Sequence, residues 1–346
     1  MADPRRGAAS VTVAIPVRDG GHQLAGVLAA LSAQTVEHEL LVCDSGSTDG
    51  SLALVRSHGA RVLELAPRRF THGGTRNLLM REAQGARVAL LTQDAEPADE
   101  RWLESLLAGF ELGEDVAIVY GPYRPRPRAS AVVRIELDRW FAALSPDGNP
   151  RVDRLEPAER SLPARELVGA RGFFSDANAC IARAAWERVP FREVAYAEDR
   201  LLALEMLRAG YAKAFVPSAA VLHSHTYTAL EELRRCFDEW RGLLEVYGWR
   251  EPATPAHVLR RLRGELGYTQ RELVRAGASR ASRRLTLVAA GRHNIVRLVG
   301  ALLGSRADLL PAALRRWLSL ERRGSFAALE LDASAAQAPA QERAHA

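Results

Sequence analysis

Three acidic stretches and a pair of histidines are where this 346-residue chain could do chemistry. The most informative is Leu41-Val-Cys-Asp-Ser-Gly-Ser-Thr-Asp-Gly-Ser51, in which apolar residues run into Asp44, small polar residues follow, and Asp49 precedes an apolar-periodic segment. That order reads as a strand ending in an acidic loop that opens a helix. Ligands of open α/β sheets bind at the carboxyl ends of strands. An aspartate there can accept hydrogen bonds from a nucleobase or ribose, and the helix behind it offers free N–H groups. Ser47, Thr48 and Asp49 are equally the residue types that cap a helix, with Gly50 easing the turn. Further along, Asp94 and Glu96 follow an apolar run, and Glu198 and Asp199 open a helical pattern. His223 and His225, two apart at a strand end, share a face.

The elements that must position these residues alternate. Strand candidates are Val11–Val17, Glu39–Cys43, Arg61–Leu65, Arg87–Leu91 and Val116–Tyr120, and helical patterns fall between them at His22–Ala33, Ser51–His58, Gly74–Gly85 and Asp99–Phe110. Apolar strands separated by amphipathic helices imply an α/β fold, a mainly parallel sheet covered on both faces. The Pro-rich run Gly121–Arg128 closes this half. Beyond it, Val132–Leu144 reads as a helix, Ser145–Pro163 as loop, and Gly172–Ile181 as a strand or tight loop. Glu198–Ala209 is a helix stopped by Gly210, and Ala214–Val216 and Ala220–Leu222 are short strands. From Thr228 the pattern is helical throughout. Residues 1–10 and 327–346 read as disordered, the latter Ala-, Gln- and Pro-rich.

Composition, with 47% hydrophobic and 26% charged residues, is that of a globular protein. Lys213 is the only lysine, so the abundance of arginine points to genomic base composition before nucleic-acid binding. Cys43, Cys180 and Cys236 have no zinc or disulfide spacing, and a reducing cytoplasm is the expected compartment. The first apolar run is short and ends in Arg18 and Asp19, which reads as a strand and not a signal peptide. No apolar run approaches the roughly 20 residues of a membrane span.

Taken in order, these pieces resemble the glycosyltransferase family 2 pattern with its GT-A fold. Val13-Ala-Ile-Pro-Val-Arg18 looks like the opening strand, with Pro16 and Arg18 beside the donor, and Asp44-Ser-Gly-Ser-Thr-Asp49 is similar to the nucleoside-binding loop. Gly74-Thr-Arg-Asn77 matches the stretch where an Arg-Asn pair opens a helix by the nucleotide. Thr92-Gln-Asp-Ala-Glu96 falls where the metal-binding acidic motif belongs, and Ala197-Glu-Asp-Arg200 where the catalytic base belongs. Phe70-Thr-His-Gly-Gly-Thr-Arg-Asn77 and Val221-Leu-His-Ser-His225 look most like bacterial rhamnosyltransferase-type members. The resemblance covers about residues 11–240. It implies a catalytic domain over 11–245, with a nucleotide half (11–125) and an acceptor half (126–245), and a helical Arg-rich extension over 246–326.

The resemblance also implies roles. Breaking a sugar–diphosphate bond gathers negative charge on the leaving group, which a divalent cation offsets. Mg²⁺ or Mn²⁺ takes oxygen ligands, often one or two carboxylates plus substrate phosphates. Asp94 is the first candidate ligand. Gln93, toward the donor, stands where a full Asp-x-Asp pair would carry its first acid, and Glu96 fills the second acidic slot. Glu96 either ligates, directly or through water, or merely favours the start of the next helix. His223 or His225, with His225 slightly preferred, completes the metal site or contacts the diphosphate. Asp44, Ser47, Asp49, Arg76 and Asn77 would hold the donor, and Asp176 and Asn178 the acceptor. Phe173 and Phe174 are core or a sugar platform, and His72 shapes the same pocket. Asp199 is the general base supported by Glu198. One base without a separate nucleophile implies single displacement with inversion. The expected substrates are a nucleoside diphosphate sugar, dTDP-L-rhamnose among them, and a cell-surface, secreted or lipid-linked glycan. Mannose, glucose or galactofuranose donors are the enzyme alternatives, and a non-catalytic sugar-nucleotide or glycan-binding protein is the other.

Residues 250–323 hold sixteen arginines against five acids. With Leu285, Val288, Ile295, Leu298 and Leu302 at helical spacing, they suit peripheral contact with an anionic membrane on its cytoplasmic side, or helix packing with solvated arginines. No recognition motif for nucleic acid accompanies the charge.

Overall fold

The structure, a computed structural model, describes residues 10–166 and 169–321. The apolar runs form strands β1 (Val11–Val17), β2 (Glu39–Asp44), β3 (Arg61–Glu64), β4 (Arg87–Leu91), β5 (Glu96–Pro97), β6 (Val116–Tyr120), β7 (Tyr123–Arg124), β8 (Arg151–Asp153), β9 (Asn178–Ala182), β10 (Ala212–Phe215) and β11 (Val221–Leu222). The helices are α1 (Gly21–Ser32), α2 (Ser51–Ser57), α3 (His72–Glu82), α4 (Trp102–Ala108), α5 (Ala131–Leu144), α6 (Arg183–Arg188), α7 (Glu198–Arg208), α8 (Ala229–Tyr247), α9 (Pro255–Arg275), α10 (Arg280–Gly304) and α11 (Ala312–Leu318).

Eight strands make one sheet in the order β3-β2-β1-β4-β9-β6-β10-β8. β3, β2, β1 and β4 run parallel, as do β6 and β10. β9 is antiparallel to both its neighbours and β8 to β10. Period-two alternation puts Val11, Val13, Ile15 and Val17 of β1 into one core with Leu24, Val27, Leu28 and Leu31 of α1 and Trp102, Leu103 and Leu106 of α4. On the opposite face Ala14, Val88, Leu90 and Ile181 meet Leu79 and Met80 of α3, Trp186 of α6, and Leu202 and Met206 of α7. Both faces are buried, which is why the central strands read as nearly continuous apolar runs.

Three features differ from the sequence reading. β8 forms inside the segment read as loop, because Asp153 meets the buried Lys213 ammonium (3.2 Å) at the sheet edge. Helix α6 was not expected, nor were β5 and β7, two-residue strands that pair with β11, the strand read at Ala220–Leu222, in a small second sheet. α3 starts at His72, two residues early, because the Thr71 hydroxyl accepts from Gly74 N–H (3.1 Å).

The helical extension packs back on the domain. α10 lies along α8, and a Cβ at Gly300 would meet the Leu233 carbonyl at 2.7 Å. Gly304 is closer still to the Phe237 carbonyl, so this crossing requires glycine twice. Leu298 is buried in the contact, while Leu285, Val288 and Ile295 are exposed, so the apolar positions read as one set serve two faces. No helix among the described residues is long and apolar enough to cross a membrane. The tail expected to be disordered, and Arg322 and Arg323, lie outside the described residues, as does the N-terminus to residue 9.

Candidate active site

The carboxyl ends of β1, β2 and β4 converge, and three loops there are laced together. Asp44 ends β2 in register with Val17 and Glu64. Its Oδ2 accepts from the N–H groups of Gly46 (3.0 Å) and Ser47 (3.1 Å), while Oδ1 is buried without a partner. Gly46 has φ +91, and a Cβ there would sit 2.7 Å from Pro67, so the turn that aims Asp44 needs glycine. Ser47 Oγ accepts from Asp19 N–H (2.9 Å), and the Asp49 carboxylate from Gly21 N–H (2.9 Å) and Ser51 N–H (3.0 Å). These two side chains therefore join the β2–α2 loop to the β1–α1 loop. Gln93 grips Arg18 through both of its backbone groups (2.8 and 3.0 Å), tying β4 to β1 and leaving the Arg18 residue exposed. Pro16 is half-buried in β1, beside Cys43.

Asp94 follows β4 and meets the histidines that follow β11. His223 Nδ1 lies 3.6 Å from Asp94 Oδ1 and His225 Nε2 3.7 Å from Oδ2. One ligand atom from each residue lies within 4.8 Å of the others. Around an octahedral ion with bonds of about 2.1 Å, adjacent ligand atoms are roughly 3 Å apart, so a small closure would fit one. Burial pushes the His223 imidazole down, and burial together with His223 pushes His225 down to about 4. Burial opposes ionisation of Asp94, but the neighbouring His223 and His225 together with hydrogen bonds from Thr92 and the backbone hold its carboxyl below the usual range. Neutral imidazoles beside a carboxylate are a ligand set in its binding-ready protonation state. Glu96 is not brought into this group. Its carboxylate pairs with Arg126 (3.2 Å), whose guanidinium also donates to the Asp94 carbonyl (2.7 Å) and so fixes the turn between the two acids. The sequence reading missed Arg126, seeing only a boundary in its Pro-rich surroundings.

A second constellation centres on Arg76. Its buried guanidinium pairs with both oxygens of Asp176 and, at 3.0 Å, with Glu198. Glu198 and Asp176 are 5% and 3% exposed and share one guanidinium, and burial pushes the Asp176 carboxyl well up despite Arg76 beside it. Asp199 makes no ion pair with Arg76 among the described residues, although their charges interact. It is half-buried, and among the described residues its one hydrogen bond comes from Arg200 N–H (2.7 Å). Burial and then the neighbouring Glu198 charge raise its pKa above that of an ordinary aspartate. Ala197, just before, has φ +66, a strained conformation for a residue with a Cβ.

The two constellations meet at Tyr123. Its ring packs edge-on against His223 at 4.8 Å, and the charges of Asp199, Asp176 and Asp94 all add to the rise that burial causes in its phenol. A cleft of about 620 Å³ opens here, bounded at this end by Tyr123, His223, His225, Tyr227, Arg200 and Arg235.

Two residues expected to touch substrate are elsewhere. Asn178 is fully buried, accepting from Trp102 Nε1 (2.8 Å) and donating to the carbonyls of Ala219 (2.8 Å) and Pro122 (3.3 Å). Asn77 holds the α6 region, through Trp186 Nε1 (2.9 Å) and the backbone of Phe191. Every side-chain polar atom of both is hydrogen-bonded within the protein, and Arg76 and Asp176 are paired with each other. Phe174 is buried in the core, and Phe173 belongs to the same cluster while also lining the cleft. His72 is held by Glu321 (2.9 Å), a partner 249 positions away that no local pattern could reveal.

Comparison with known proteins agrees with this arrangement. The profile of the family described as Glycosyl transferase family 2 matches residues 12–157. The chain is 31% identical over 234 residues to the O-antigen chain rhamnosyltransferase RfbN of Salmonella typhimurium, covering 66% of this chain and 70% of that one. It is 30% identical over 203 residues to the O-antigen chain rhamnosyltransferase WbaN of Salmonella anatum, covering 58% and 61%. Among solved structures, the mannosyltransferase PcManGT from Pyrobaculum calidifontis, in complex with GDP-Man and Mn²⁺, superposes with a TM-score of 0.55 at 17% identity, covering 88% of this chain and 87% of that one. That likeness is one of fold, a mainly parallel sheet between helices with helices at the C-terminal end. The sheet, the acidic loops at its carboxyl edge and the 31% identity together place the chain in glycosyltransferase family 2, as a nucleotide-sugar-dependent glycosyltransferase similar to the O-antigen rhamnosyltransferases.

Proposed function

We propose that this enzyme transfers L-rhamnose, with inversion, from a nucleoside diphosphate such as dTDP-L-rhamnose to a hydroxyl of a cell-surface glycan, carried on a lipid while it is built. The observation that carries this is the 31% identity to an O-antigen chain rhamnosyltransferase, beside the grouping of Asp94, His223 and His225 at the ligand edge of the sheet. The donor half spans residues 11–125 and the acceptor half 126–245. Asp44 Oδ1, buried and unpartnered, is the acceptor atom available to an N–H of the base. Asp94, His223 and His225 would hold a divalent ion. Two imidazoles with one carboxylate suit Mn²⁺ better than Mg²⁺, which prefers oxygen alone. When bound, such an ion offsets charge developing on the diphosphate. Arg235, which bounds the same end of the cleft, adds positive charge there. Asp199 takes the proton of the attacking hydroxyl, and its raised pKa makes it a stronger base than a free aspartate. Glu198, tied to Arg76, keeps the proton affinity of Asp199 high.

The test is a thermal-shift panel of nucleoside diphosphate sugars with and without Mn²⁺, followed by transfer assays with those that bind. A shift with dTDP-L-rhamnose that needs Mn²⁺ supports the assignment. A shift confined to mannose, glucose or galactofuranose donors replaces the sugar, and binding with neither transfer nor donor hydrolysis would reduce the protein to a binding module.

A further inference from the structure

The outward face of α10 is at odds with a helix that only packs. Ala281, Leu285, Val288, Arg292, Ile295 and Val299 recur at intervals of three and four, so they line one face of the helix. All six are exposed, with Leu285 and Val288 at 74% and Ile295 at 52%. The opposite face carries the buried Ala290, Leu298, Ala301 and Gly304 and packs on α8. From Leu285 to Val299 the stripe runs about 21 Å. Arg280, Arg284 and Arg292 are exposed on or beside it, and α10 contains no acidic residue. Among the described residues the three have no ion-pair partner, so their charge is free to meet an anionic surface.

We infer that this face of α10 binds an anionic lipid surface. The charge pattern chooses between occupants. A second copy of α10 would bring Arg284 and Arg292 against their own counterparts, with no carboxylate on the helix to neutralise them. A bilayer bearing acidic headgroups meets the arginines with opposite charge and takes the apolar stripe into the boundary between headgroups and acyl chains. The placement also suits the active site. His293, Asn294 and Arg297, on another face of the same helix, line the cleft that begins at His223 and His225. A membrane on the outer face therefore holds the cleft beside the bilayer, where a lipid-carried acceptor would present its glycan. The surface itself does not depend on the identity of the sugar or on turnover, so it can fail or stand apart from the proposed reaction.

The experiment is co-sedimentation of the full chain with vesicles of equimolar phosphatidylglycerol and phosphatidylcholine, beside vesicles of phosphatidylcholine alone. Binding to the anionic vesicles only, weakening as salt is raised, is expected. Each arginine at such a surface accounts for roughly fivefold in partitioning, so Arg284→Glu with Arg292→Glu should lower binding by roughly 25-fold or more. Leu285→Glu with Val288→Glu should abolish it without changing the melting temperature, since both side chains lie in solvent. Equal binding to both vesicle types, no binding to either, or full retention in the Leu285/Val288 variant would each overturn the inference. So would a dimer in light scattering that this variant converts to a monomer, because the face would then belong to a second copy.

Discussion

Replacing Asp199 with asparagine isolates the proton transfer. The amide has nearly the shape of the carboxylate, and its oxygen can still accept from Arg200 N–H at the position now occupied by Oδ1, 2.7 Å away. No ion pair of the Arg76 cluster is broken, because that cluster uses Glu198 and Asp176. Folding and donor binding should therefore persist. What is lost is a base, worth about 10²–10⁴ in rate, or about 2.7–5.4 kcal/mol of barrier at 1.36 kcal/mol per decade. Glu198→Gln is the informative companion. It removes a charge that raises the Asp199 pKa and one of two partners of Arg76, while Asp176 still holds the guanidinium through both oxygens. Its rate should fall by less than about tenfold, as a modestly weaker base implies. The pH profile carries the sign. Asp199 must be ionised to act, so turnover falls as pH drops through its pKa, which burial and Glu198 hold above the ordinary aspartate value. Removing Glu198 should move that acid limb to lower pH. The assay is initial transfer rate against pH for the three proteins, with donor affinity by calorimetry. Near-normal turnover in Asp199→Asn, or an acid limb moved upward in Glu198→Gln, would refute the assignment and direct attention to another carboxylate.

Further outcomes follow from the same geometry. Asp94→Ala and His225→Ala should each weaken Mn²⁺ binding, measured by calorimetry, by tenfold or more, whereas Glu96→Gln should leave it nearly unchanged because Arg126 already occupies that carboxylate. Asp44→Ala should raise the donor KM with little change in kcat, since a nucleoside contact is the same in ground and transition states, and an unchanged KM would leave the loop structural. Arg76→Met strands two carboxylates in the interior and should cost about 3–5 kcal/mol in urea unfolding, with a loss below about 1 kcal/mol counting against the cluster. Cys43, Cys180 and Cys236 are all buried, with Cys43 pushed up to about 11, so a thiol reagent should label the native protein slowly and the unfolded one at three sites.

The donor end of the fold was legible because its signal is local. Strands β1, β2, β4 and β6 announced themselves as apolar runs, and Asp44 and Asp94 stand where such runs stop, which in a parallel sheet is the ligand edge. The acceptor side was less legible because its roles are decided by partners distant in sequence. Nothing near Asn178 or Asn77 shows that Trp102 or Phe191 will consume its hydrogen bonds. Arg76 reads as a phosphate ligand until Asp176, a hundred positions on, is seen to hold it. β8 pairs with β10 where Asp153 meets the buried Lys213, sixty positions on, and Arg126 clasps the Asp94–Glu96 turn from within a segment that looks like a spacer.

The division of labour between Glu198 and Asp199 has its origin in the backbone. Consecutive residues on a helix project about 100° apart, so one of two adjacent acids can face inward to Arg76 only if the other faces away. The direction in which the pair enters the site is set one residue earlier, where Ala197 adopts a left-handed conformation that costs roughly 1–2 kcal/mol. Such a conformation persists only when packing over-determines it. Here the packing comes from α8, where a Cβ on Gly242 would lie 2.9 Å from the Ala197 Cβ and about as close to Tyr196. Glycine in mid-helix costs about 1 kcal/mol relative to alanine, so two unfavourable local choices, on elements 45 positions apart in the chain, are matched to each other. Helix α8 in turn is clamped by α10 at Gly300 and Gly304. The helical extension thus packs through Gly300 and Gly304 on the helix whose Gly242 meets Ala197, two residues before the carboxylate proposed as the base.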